Sequence, residues 1–226
     1  MIEQAWQTDR GLVVLSFAWI AFVILVGEAI RRGFRLPPDV LRKIVHVGVA
    51  AWALPTALLF ESPWWAALTP AVFIVLNAIS YRFRLMDVIE DEGRGSPGTI
   101  YFPFSFALLI VALWPVGGRA AMVAGLFAMG FGDAAASVFG RRLGRHRYRI
   151  AGAQKSWEGT GIMFGVSAAA ILLGVYPLLG RWAPGAALAA AAAGAAAEAP
   201  AGRGLDNLSV PLTAALVFYA VERGLG

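Results

Sequence analysis

The sequence has no cysteine and few charged residues, and these two shortages restrict the class of protein. Without cysteine among its 226 residues, disulfide frameworks, thiolate metal sites and thiol nucleophiles are excluded. Charged residues make up 15% and hydrophobic residues 59%, whereas a soluble domain carries roughly 25% and 45–50%. Such a chain cannot cover its surface with polar groups. Since no polar linker divides it, we expect residues 1–226 to form a single polytopic transmembrane domain.

Eight apolar segments approach the length of about 20 residues that a membrane-spanning helix needs. They are Gly11–Ile30, Ile44–Phe60, Pro63–Ser80, Ile100–Trp114, Ala120–Gly140, Gly159–Leu179, Ala183–Pro200 and Leu208–Val221. The fourth is short and contains Pro103, and the seventh is almost entirely Ala and Gly. The first is longer than the apolar core of a secretory signal and follows acidic residues, so we expect it to be retained. The predicted fold class is an all-α integral membrane protein with about eight transmembrane helices.

Basic residues are distributed unevenly between the connections of these segments. All but four of the 19 Lys and Arg residues fall in connections that the eight segments would place on one side. The four exceptions are Arg10, Arg119, Arg181 and Arg223. Because cytoplasmic loops carry the excess of Lys and Arg, we assign the rich side to the cytoplasm and expect a multi-pass protein of the cell membrane. The net charge of +5 has the same explanation, so no nucleic-acid partner is predicted.

Ionisable and amide side chains in the apolar segments are the first candidates for a functional site, because charge is costly inside a membrane. Those in or beside the segments are Glu28, His46, Asn77, Asp133, Glu198, Asp206 and Asn207. The predicted topology brings all of them to the cytoplasmic leaflet. Glu28 has a simpler alternative, a side chain that reaches water from a helix end. His46 is equally compatible with a base, a substrate hydrogen-bond partner or a structural group.

The densest polar stretch runs from residue 130 to residue 159. Asp133 follows Gly132, so a divalent cation can approach its carboxylate, and hard oxygen ligands suit Mg²⁺. Ser137 lies four residues later on the same helical face and can add an oxygen. Arg141, Arg142 and Arg145 come next, and forked guanidinium groups match phosphate oxygens.

Lys155 and Ser156 end this stretch at a predicted helix start, where anions bind. We therefore predict a site for the phosphates of a nucleotide. The alternative is a cytoplasmic loop that is basic only because such loops carry an excess of Lys and Arg. This alternative accounts for the Arg and Lys residues but not for Gly132-Asp133. No G-x-x-x-x-G-K-[ST] sequence occurs, so this is not a P-loop.

In these residues the sequence resembles the dolichol kinase and phytol kinase family of integral membrane enzymes. The shared motifs are Arg42-Lys43-x-x-His46, Gly98-Thr99-Ile100-Tyr101-Phe102, Gly132-Asp133 with Ser137, Gly140-Arg141-Arg142-Leu143-Gly144, Lys155-Ser156-x-Glu158-Gly159, Glu198 and Asp206-Asn207-Leu208-Ser209-Val210-Pro211. The resemblance leads us to expect an acidic doublet before Asn207, where this chain has Leu205-Asp206. The second half is also similar to phosphatidate cytidylyltransferases, but it lacks their longer C-terminal signature.

The resemblance implies a CTP-dependent kinase that phosphorylates the hydroxyl of an isoprenoid lipid alcohol, such as phytol, a polyprenol or a dolichol-like alcohol. The expected cofactor is Mg²⁺, held by Asp133 with Asp206 or Asn207. Glu198 or Asp206 is the expected proton acceptor, with His46 in reserve. The residues predicted to bind the nucleotide and its phosphates are Gly132, Ser137, Arg141, Arg142, Arg145, Lys155, Ser156, Glu158, Arg42 and Lys43. The lipid bilayer, a nucleoside triphosphate and a lipid alcohol are the expected partners, and an oligomer is permitted.

Three alternatives stay open at the level of the sequence. A CTP-dependent diacylglycerol kinase would run the same reaction on another lipid, and a phosphatidate cytidylyltransferase-like enzyme would release pyrophosphate instead of CDP. A transporter would place ionisable groups near the midplane and carry inverted repeats. The ionisable groups here lie off-centre and we find no repeat, which disfavours a transporter.

Overall fold

The computed structural model describes residues 2–83, 98–202 and 204–224 and is built almost entirely of α-helices. The helices are α1 Ile2–Gly33, α2 Pro38–Ala51, α3 Ala53–Leu59, α4 Pro63–Phe83, α5 Gly98–Leu113, α6 Arg119–Phe127, α7 Ala134–Leu143, α8 Trp157–Leu179, α9 Pro184–Glu198 and α10 Asp206–Gly224. A 3₁₀ turn, Trp114–Val116, follows α5, and a π-helical segment, Ala128–Asp133, joins α6 to α7. The two strands are β1 Arg147–Ile150 and β2 Ala153–Ser156.

All eight predicted apolar segments are helical, and the all-α membrane class is confirmed. Among the described residues, five helices are long and apolar enough to cross a membrane by length and composition. These are Thr8–Gly33, Pro63–Phe83, Gly98–Val116, Arg119–Leu143 and Trp157–Leu179. The other three segments fall in shorter or more polar helices: α2 with α3, α9, and α10. The count of eight spans and the side of the membrane stay predictions, and Arg84, Arg94 and Arg203 lie outside the described residues.

Hydrogen bonds link the helix ends that lie away from the predicted site. The Asp9 carboxylate of α1 accepts from the backbone N–H groups of Glu61 and Ser62, which lie in the turn between α3 and α4. Arg119 at the start of α6 donates to the Ala57 carbonyl of α3. Tyr219 of α10 donates to the Val116 carbonyl between α5 and α6. This end of the bundle therefore gathers the start of α1, the α3–α4 and α5–α6 turns and the end of α10.

The chain from α6 to α7 forms the centre of the bundle, with 72% of its apolar window buried. Small residues let its neighbours approach closely. A Cβ added at Gly125 would lie 2.2 Å from the Pro211 carbonyl oxygen of α10, and one at Gly130 would lie 2.0 Å from the Ala50 Cβ of α2. Both α2 and α10 therefore pack directly on the segment that carries Asp133.

The connection between α7 and α8, expected from the sequence as a basic loop, is an antiparallel β-hairpin. Arg147 pairs with Ser156 and Tyr148 with Lys155. Ala151 and Gly152 turn the chain with φ values of 48° and 81°, as a type I′ turn requires. The hairpin fixes the position of Lys155 immediately before α8.

Candidate active site

Helix ends and the β-hairpin enclose a cavity of about 560 Å³, which we call the polar cavity. Its walls come from the start of α2, the end of the π-helical segment, α7, both strands, the start of α8, the end of α9 and the start of α10. Segments far apart in the sequence therefore meet at one place.

Lys43 and Asp133 form a buried ion pair in this cavity. Lys43 Nζ donates to Asp133 Oδ2 at 2.5 Å, and the side chains are only 13% and 4% exposed. Asp133 is the last residue of the π-helical segment. Such segments are rare and frequently occur at functional sites. The pair fixes α2 against the central helix and holds the carboxylate beside a cation.

Lys155 and Glu198 form a second ion pair on another wall of the polar cavity. Lys155 Nζ donates to Glu198 Oε1, which links the end of the hairpin to the end of α9. Burial by itself would lower the pKa of Lys155, but the charge and hydrogen bond of Glu198, together with the negative charges of Asp133 and Asp206, raise it. Lys155 is therefore a cation at neutral pH.

The charges that line the polar cavity favour an anionic ligand. Five Lys and Arg side chains face three carboxylates: Arg42, Lys43, Arg141, Arg147 and Lys155 against Asp133, Glu198 and Asp206. Two of the carboxylates already have a lysine partner. The arginines add forked donors that match phosphate oxygens. A cavity with an excess of cations and a few carboxylates suits a polyphosphate that binds together with a metal ion.

Ser156 supplies the N-cap of α8, and helix α8 begins where the sequence predicts it. Its Oγ accepts from the Gly159 N–H at 3.1 Å. The first turn of α8 opens onto the cavity through Gly159 and Thr160. The positive end of the α8 dipole therefore adds to the attraction for anions.

Gly140 and Gly144 have a packing role in the structure. A Cβ at Gly140 would lie 2.9 Å from Gly159 Cα, and one at Gly144 would lie 2.6 Å from Ser156 Oγ. Both glycines line the polar cavity, and both are also needed for α7 to approach the start of α8.

The residues predicted as Mg²⁺ ligands lie together, and their chemistry fits a metal that is shared with a nucleotide. Asp133 and Asp206 both line the polar cavity. Asp206 lies ahead of the apolar run of α10, and burial and the charge of Asp133 raise its pKa. The Oδ1 atom of Asn207 is buried and has no hydrogen-bond partner among the described residues.

No cluster of three His, Asp or Glu side chains that could hold a metal alone occurs in the part of the chain that the structure describes. Mg²⁺ usually binds through one or two protein carboxylates plus substrate phosphates and water. The pair of Asp133 and Asp206 meets that requirement.

The structure brings most of the sequence-predicted site residues into one cavity. Those that line it are Arg42, Lys43, Asp133, Ser137, Arg141, Lys155, Ser156, Glu198 and Asp206. Ser137 is half-buried and donates to the Ala134 carbonyl at 3.0 Å. Arg142 and Arg145 are exposed near the end of α7 and do not belong to the lining.

Three other predicted residues lie beside the polar cavity instead of lining it. Gly132 is buried between helices, where an added Cβ would lie 2.0 Å from Ser167 Oγ. The Glu158 carboxylate accepts from the ring Nδ1 of His146 at 2.6 Å and from its backbone N–H, so it anchors the entrance of the hairpin. Asn207 lies behind Asp206, and its carbonyl accepts from Ser105 Oγ.

Glu28 is placed away from the polar cavity. Its carboxylate accepts from Arg31 Nε at 2.7 Å and from Arg32 on the last turns of α1. This arrangement matches the simpler of the two sequence interpretations, a carboxylate held near a helix end by basic neighbours.

Three lining residues were not selected by the sequence analysis: Arg147 and Gln154 in the hairpin, and Thr160 at the adjoining start of α8. The local signal was the dipeptide Ala151-Gly152 between two short polar runs of four residues. A strand pairing would have placed Arg147 opposite Ser156 and so within the site.

A second cavity, of about 430 Å³, lies between α1, α2, α3, α4 and α5. We call it the apolar cavity, because most of its lining side chains are hydrophobic. His46 belongs to this cavity and not to the polar one, and its ring lies 4.8 Å from the ring of Phe102. Arg42 lines both cavities.

Comparison with known proteins shows the family. A phytol kinase from Synechocystis sp. is 34% identical over 215 residues, an alignment that covers 92% of this chain and 90% of that protein. The chain belongs to the family of phytol and dolichol kinases. The human and bovine dolichol kinases are 26% and 30% identical, each over 71% of this chain. The chain spans about a third of their length, 35% in both cases.

Membership of the phytol and dolichol kinase family confirms the resemblance and the enzyme class of a lipid-alcohol kinase predicted from the sequence. The alignment with the Synechocystis protein also extends beyond residues 42–211, the range of the shared motifs. No family model matches the chain. No solved structure matches it either.

Proposed function

We propose that this protein is a CTP-dependent kinase that phosphorylates an isoprenoid lipid alcohol, with phytol as the first candidate, at the cytoplasmic face of the cell membrane. The observation that carries the proposal is the polar cavity, in which five cationic side chains and three carboxylates meet at the ends of apolar helices. A water-soluble phosphoryl donor and a membrane-resident acceptor come together only at such a boundary.

The charges of the polar cavity support a nucleoside triphosphate as the donor. Arg141, Arg147 and Lys155 reach it from three consecutive elements, α7, β1 and β2. Phosphoryl transfer needs little covalent chemistry from a protein and depends on positioning and on charge stabilisation. Cytosine as the base rests on the family resemblance, and no residue is assigned to read it.

Mg²⁺ would be held by Asp133 and Asp206, and Asn207, whose Nδ2 donates to Asp206 Oδ1 at 3.2 Å, would position the second carboxylate. When bound, it would neutralise charge on the transferred phosphoryl group. Lys43 and Lys155 hold two of the carboxylates of the cavity in place. Their ammonium groups can also donate to phosphate oxygens, because each has three N–H donors.

The reaction joins the alcohol oxygen to the γ-phosphorus and breaks the bond from that phosphorus to the bridging oxygen of CTP. CDP leaves and the lipid phosphate remains. The hydroxyl proton passes to a carboxylate, for which Glu198 and Asp206 are the candidates. His46 is the reserve acceptor, because it lies in the neighbouring cavity, one helical turn after Lys43 on α2.

The cytoplasmic assignment rests on the distribution of Lys and Arg. The polar cavity lies at the basic end of the helices, since Arg42, Arg141 and Arg147 line it. Labelling of single cysteines, introduced at exposed positions of this cysteine-free chain, would show directly on which side of the membrane each position lies. Reaction of a cysteine in the hairpin with an impermeant reagent in intact cells would contradict the assignment.

The decisive experiment incubates the purified protein with γ-labelled CTP, Mg²⁺ and phytol in detergent micelles. We expect labelled phytyl phosphate and one CDP per product, both lost in Asp133→Ala. Diacylglycerol as the preferred acceptor would replace the alcohol assignment, and ATP as the preferred donor would replace CTP. Pyrophosphate and a CDP-lipid would indicate a cytidylyltransferase. No lipid phosphate with any alcohol or donor would overturn the proposal.

A further inference from the structure

The apolar cavity has the size and length of a site for a lipid chain. Its volume of about 430 Å³ lies within the range of small-molecule sites, roughly 300–1,000 Å³. Along α4 it extends from Ala66 to Ser80, a distance of about 20 Å at the helical rise of 1.5 Å per residue. The cavity is therefore long and narrow, with its length along the helix axes.

Four buried polar atoms of the apolar cavity lack hydrogen-bond partners within the described residues. They are His46 Nδ1, Thr69 Oγ1, Ser80 Oγ and Thr99 Oγ1. Leaving a buried donor or acceptor unpaired costs about 1–3 kcal/mol, so a group of such atoms in one place points to a polar ligand group that pairs with them. His46, Ser80 and Thr99 form such a group, and Thr69 does not belong to it. Only one other buried side-chain atom in the described structure lacks a partner, and it belongs to Asn207.

Three of the four atoms lie at the end of the apolar cavity nearest the polar one. Asn77 Nδ2 donates to the Thr99 carbonyl at 2.7 Å, which places Thr99 against α4 one turn from Ser80. His46 contacts Phe102, one turn along α5 from Thr99. Thr69 lies three turns deeper along α4. The cavity is thus polar at one end and apolar over most of its length, the pattern of a single-chain amphiphile.

The side wall of the apolar cavity opens towards the outer surface of the bundle. Leu76 and Ile79 on α4 line it and are 49% and 44% exposed, and Ile24 on α1 is 38% exposed. The surface around this opening is hydrophobic and belongs to two of the candidate membrane spans. A lipid can therefore enter sideways from the bilayer.

Arg42 connects the two cavities. It lies at the start of α2 and lines both. His46, one turn later on the same helix, lines only the apolar cavity, and its backbone carbonyl packs against Gly130 in the π-helical segment that ends at Asp133. A hydroxyl beside His46 would thus lie next to the ion pair of the polar cavity.

From this geometry we infer that the apolar cavity binds the acceptor alcohol, with its hydroxyl between His46 and Thr99 and its hydrocarbon chain running down α4 past Thr69. The inference rests on the proposed function and deepens it, because it assigns the acceptor site and predicts selection by chain length. An alcohol whose chain fills the cavity to Ala66 gains contacts that a shorter alcohol cannot make.

The test compares two substitutions on adjacent residues of α4. Thr69→Phe fills the deep end of the apolar cavity, whereas Leu68→Phe places the same ring on the exposed face outside it. For Thr69→Phe we expect kcat/KM for phytol to fall roughly tenfold relative to kcat/KM for the shorter geraniol. For Leu68→Phe the ratio should not change. An unchanged ratio in both variants would overturn the inference and leave the kinase assignment intact.

A third variant tests the polar end. Thr99→Val removes the unpaired hydroxyl and keeps the shape of the side chain. We expect it to lower kcat/KM for phytol and geraniol by the same factor, several-fold, because both alcohols present the same hydroxyl. A loss that depends on chain length would place Thr99 beside the tail and contradict the orientation.

Photolabelling identifies where the alcohol binds and does not depend on catalytic turnover. An alcohol with a diazirine at the end of its chain should label peptides containing Ala66–Phe73, and excess phytol should suppress the label. Label confined to the exposed face of α4, or suppressed equally by a phospholipid, would show an ordinary bilayer lipid and overturn the inference. If the wild-type protein phosphorylates no alcohol, the proposed function fails, and the photolabel still reports whether an alcohol binds.

Discussion

Lys43 Nζ lies 2.5 Å from Asp133 Oδ2, although 90 residues separate the two in the sequence. The contact joins α2 to the π-helical segment at the centre of the bundle. Because both side chains are almost fully buried, each charge depends on the other for its compensation. The pair is therefore expected to contribute to both stability and activity, and suitable variants can distinguish the two contributions.

Removing one member of this pair is expected to cost more than removing both. Lys43→Met leaves the Asp133 carboxylate buried without its cation and should destabilise the protein by about 3 kcal/mol. The double variant Lys43→Met/Asp133→Asn has no unpaired charge and should recover most of that loss. Thermal melting of the purified protein, followed by circular dichroism in detergent, measures both.

Activity should not recover with stability in the double variant. Asp133→Asn alone is expected to lower kcat by roughly 10²–10³-fold, the usual loss when one group that stabilises charge is removed. The double variant should show at least the same loss, measured as lipid phosphate formed per minute. Activity near that of the wild type in either variant would exclude Asp133 from the reaction.

Lys155 should affect the nucleotide more than the lipid. Lys155→Met is expected to raise KM for CTP roughly tenfold or more, since a charged hydrogen bond contributes about 1.5–3 kcal/mol, and to leave KM for phytol nearly unchanged. Lys155→Arg keeps the charge and should recover part of the affinity. An equal rise in both KM values would indicate a general distortion of the site instead.

The pH dependence provides a second measure of Lys155. Its pKa is raised by Glu198 and the neighbouring carboxylates, so the side chain stays protonated until the pH exceeds the ordinary value for lysine, about 10.4. KM for CTP should therefore stay level as the pH rises from 7 to 9. A rise over this range that Lys155→Arg abolishes would show that Lys155 loses its proton earlier.

The sequence predicts the helices and the residues of the polar cavity well, for a physical reason. Long apolar runs need a membrane and become helices, because backbone groups in lipid must be hydrogen-bonded internally. Charged residues such as Asp133 and Glu198 are energetically unfavourable in such runs and are therefore rare, so each one that occurs is a candidate for a functional role. Composition alone identifies them as candidates.

The pairing of those residues could not be predicted in the same way. That Lys43 meets Asp133, or that Lys155 meets Glu198, depends on which helices are neighbours, and helical periodicity does not encode that. The separation of His46 into the apolar cavity is another example. Its spacing from Arg42 places both on one face of α2, but the neighbours of that face come from α1, α4 and α5.

Asp206 and Asn207 should determine the requirement for metal. EDTA is expected to abolish activity, and Mg²⁺ to restore it. Asp206→Asn removes a candidate ligand and should raise the Mg²⁺ concentration for half-maximal activity roughly tenfold. Ser209 lies three residues after Asp206 on the same helix, and within the described residues its hydroxyl donates to the backbone carbonyls of Ala197 and Leu205. Ser209→Ala therefore serves as the control.

Binding of Mn²⁺ in the presence of a non-hydrolysable CTP analogue gives a reading that does not depend on turnover. Electron paramagnetic resonance of free Mn²⁺ should show weaker binding in Asp206→Asn and in Asn207→Ala than in Ser209→Ala. Equal affinity in all three variants would exclude both residues from the metal site.

Gly144 tests how closely α7 must approach the start of α8. In Gly144→Ala the new Cβ would lie 2.4 Å from the Gly140 carbonyl oxygen and 2.6 Å from Ser156 Oγ. The first contact is with backbone, so α7 or the hairpin has to move. Because Ser156 follows Lys155 directly, we expect a lower melting temperature and a raised KM for CTP together.

The matched control is Gly161→Ala on α8, where an added Cβ meets nothing within 4 Å. In an exposed helical position, alanine is favoured over glycine by about 1 kcal/mol, so this variant should melt at the same or a higher temperature and keep its KM. If Gly144→Ala behaves like Gly161→Ala, close packing at Gly144 is not what positions Lys155. A raised KM without any change in melting would instead assign Gly144 a direct contact with the nucleotide.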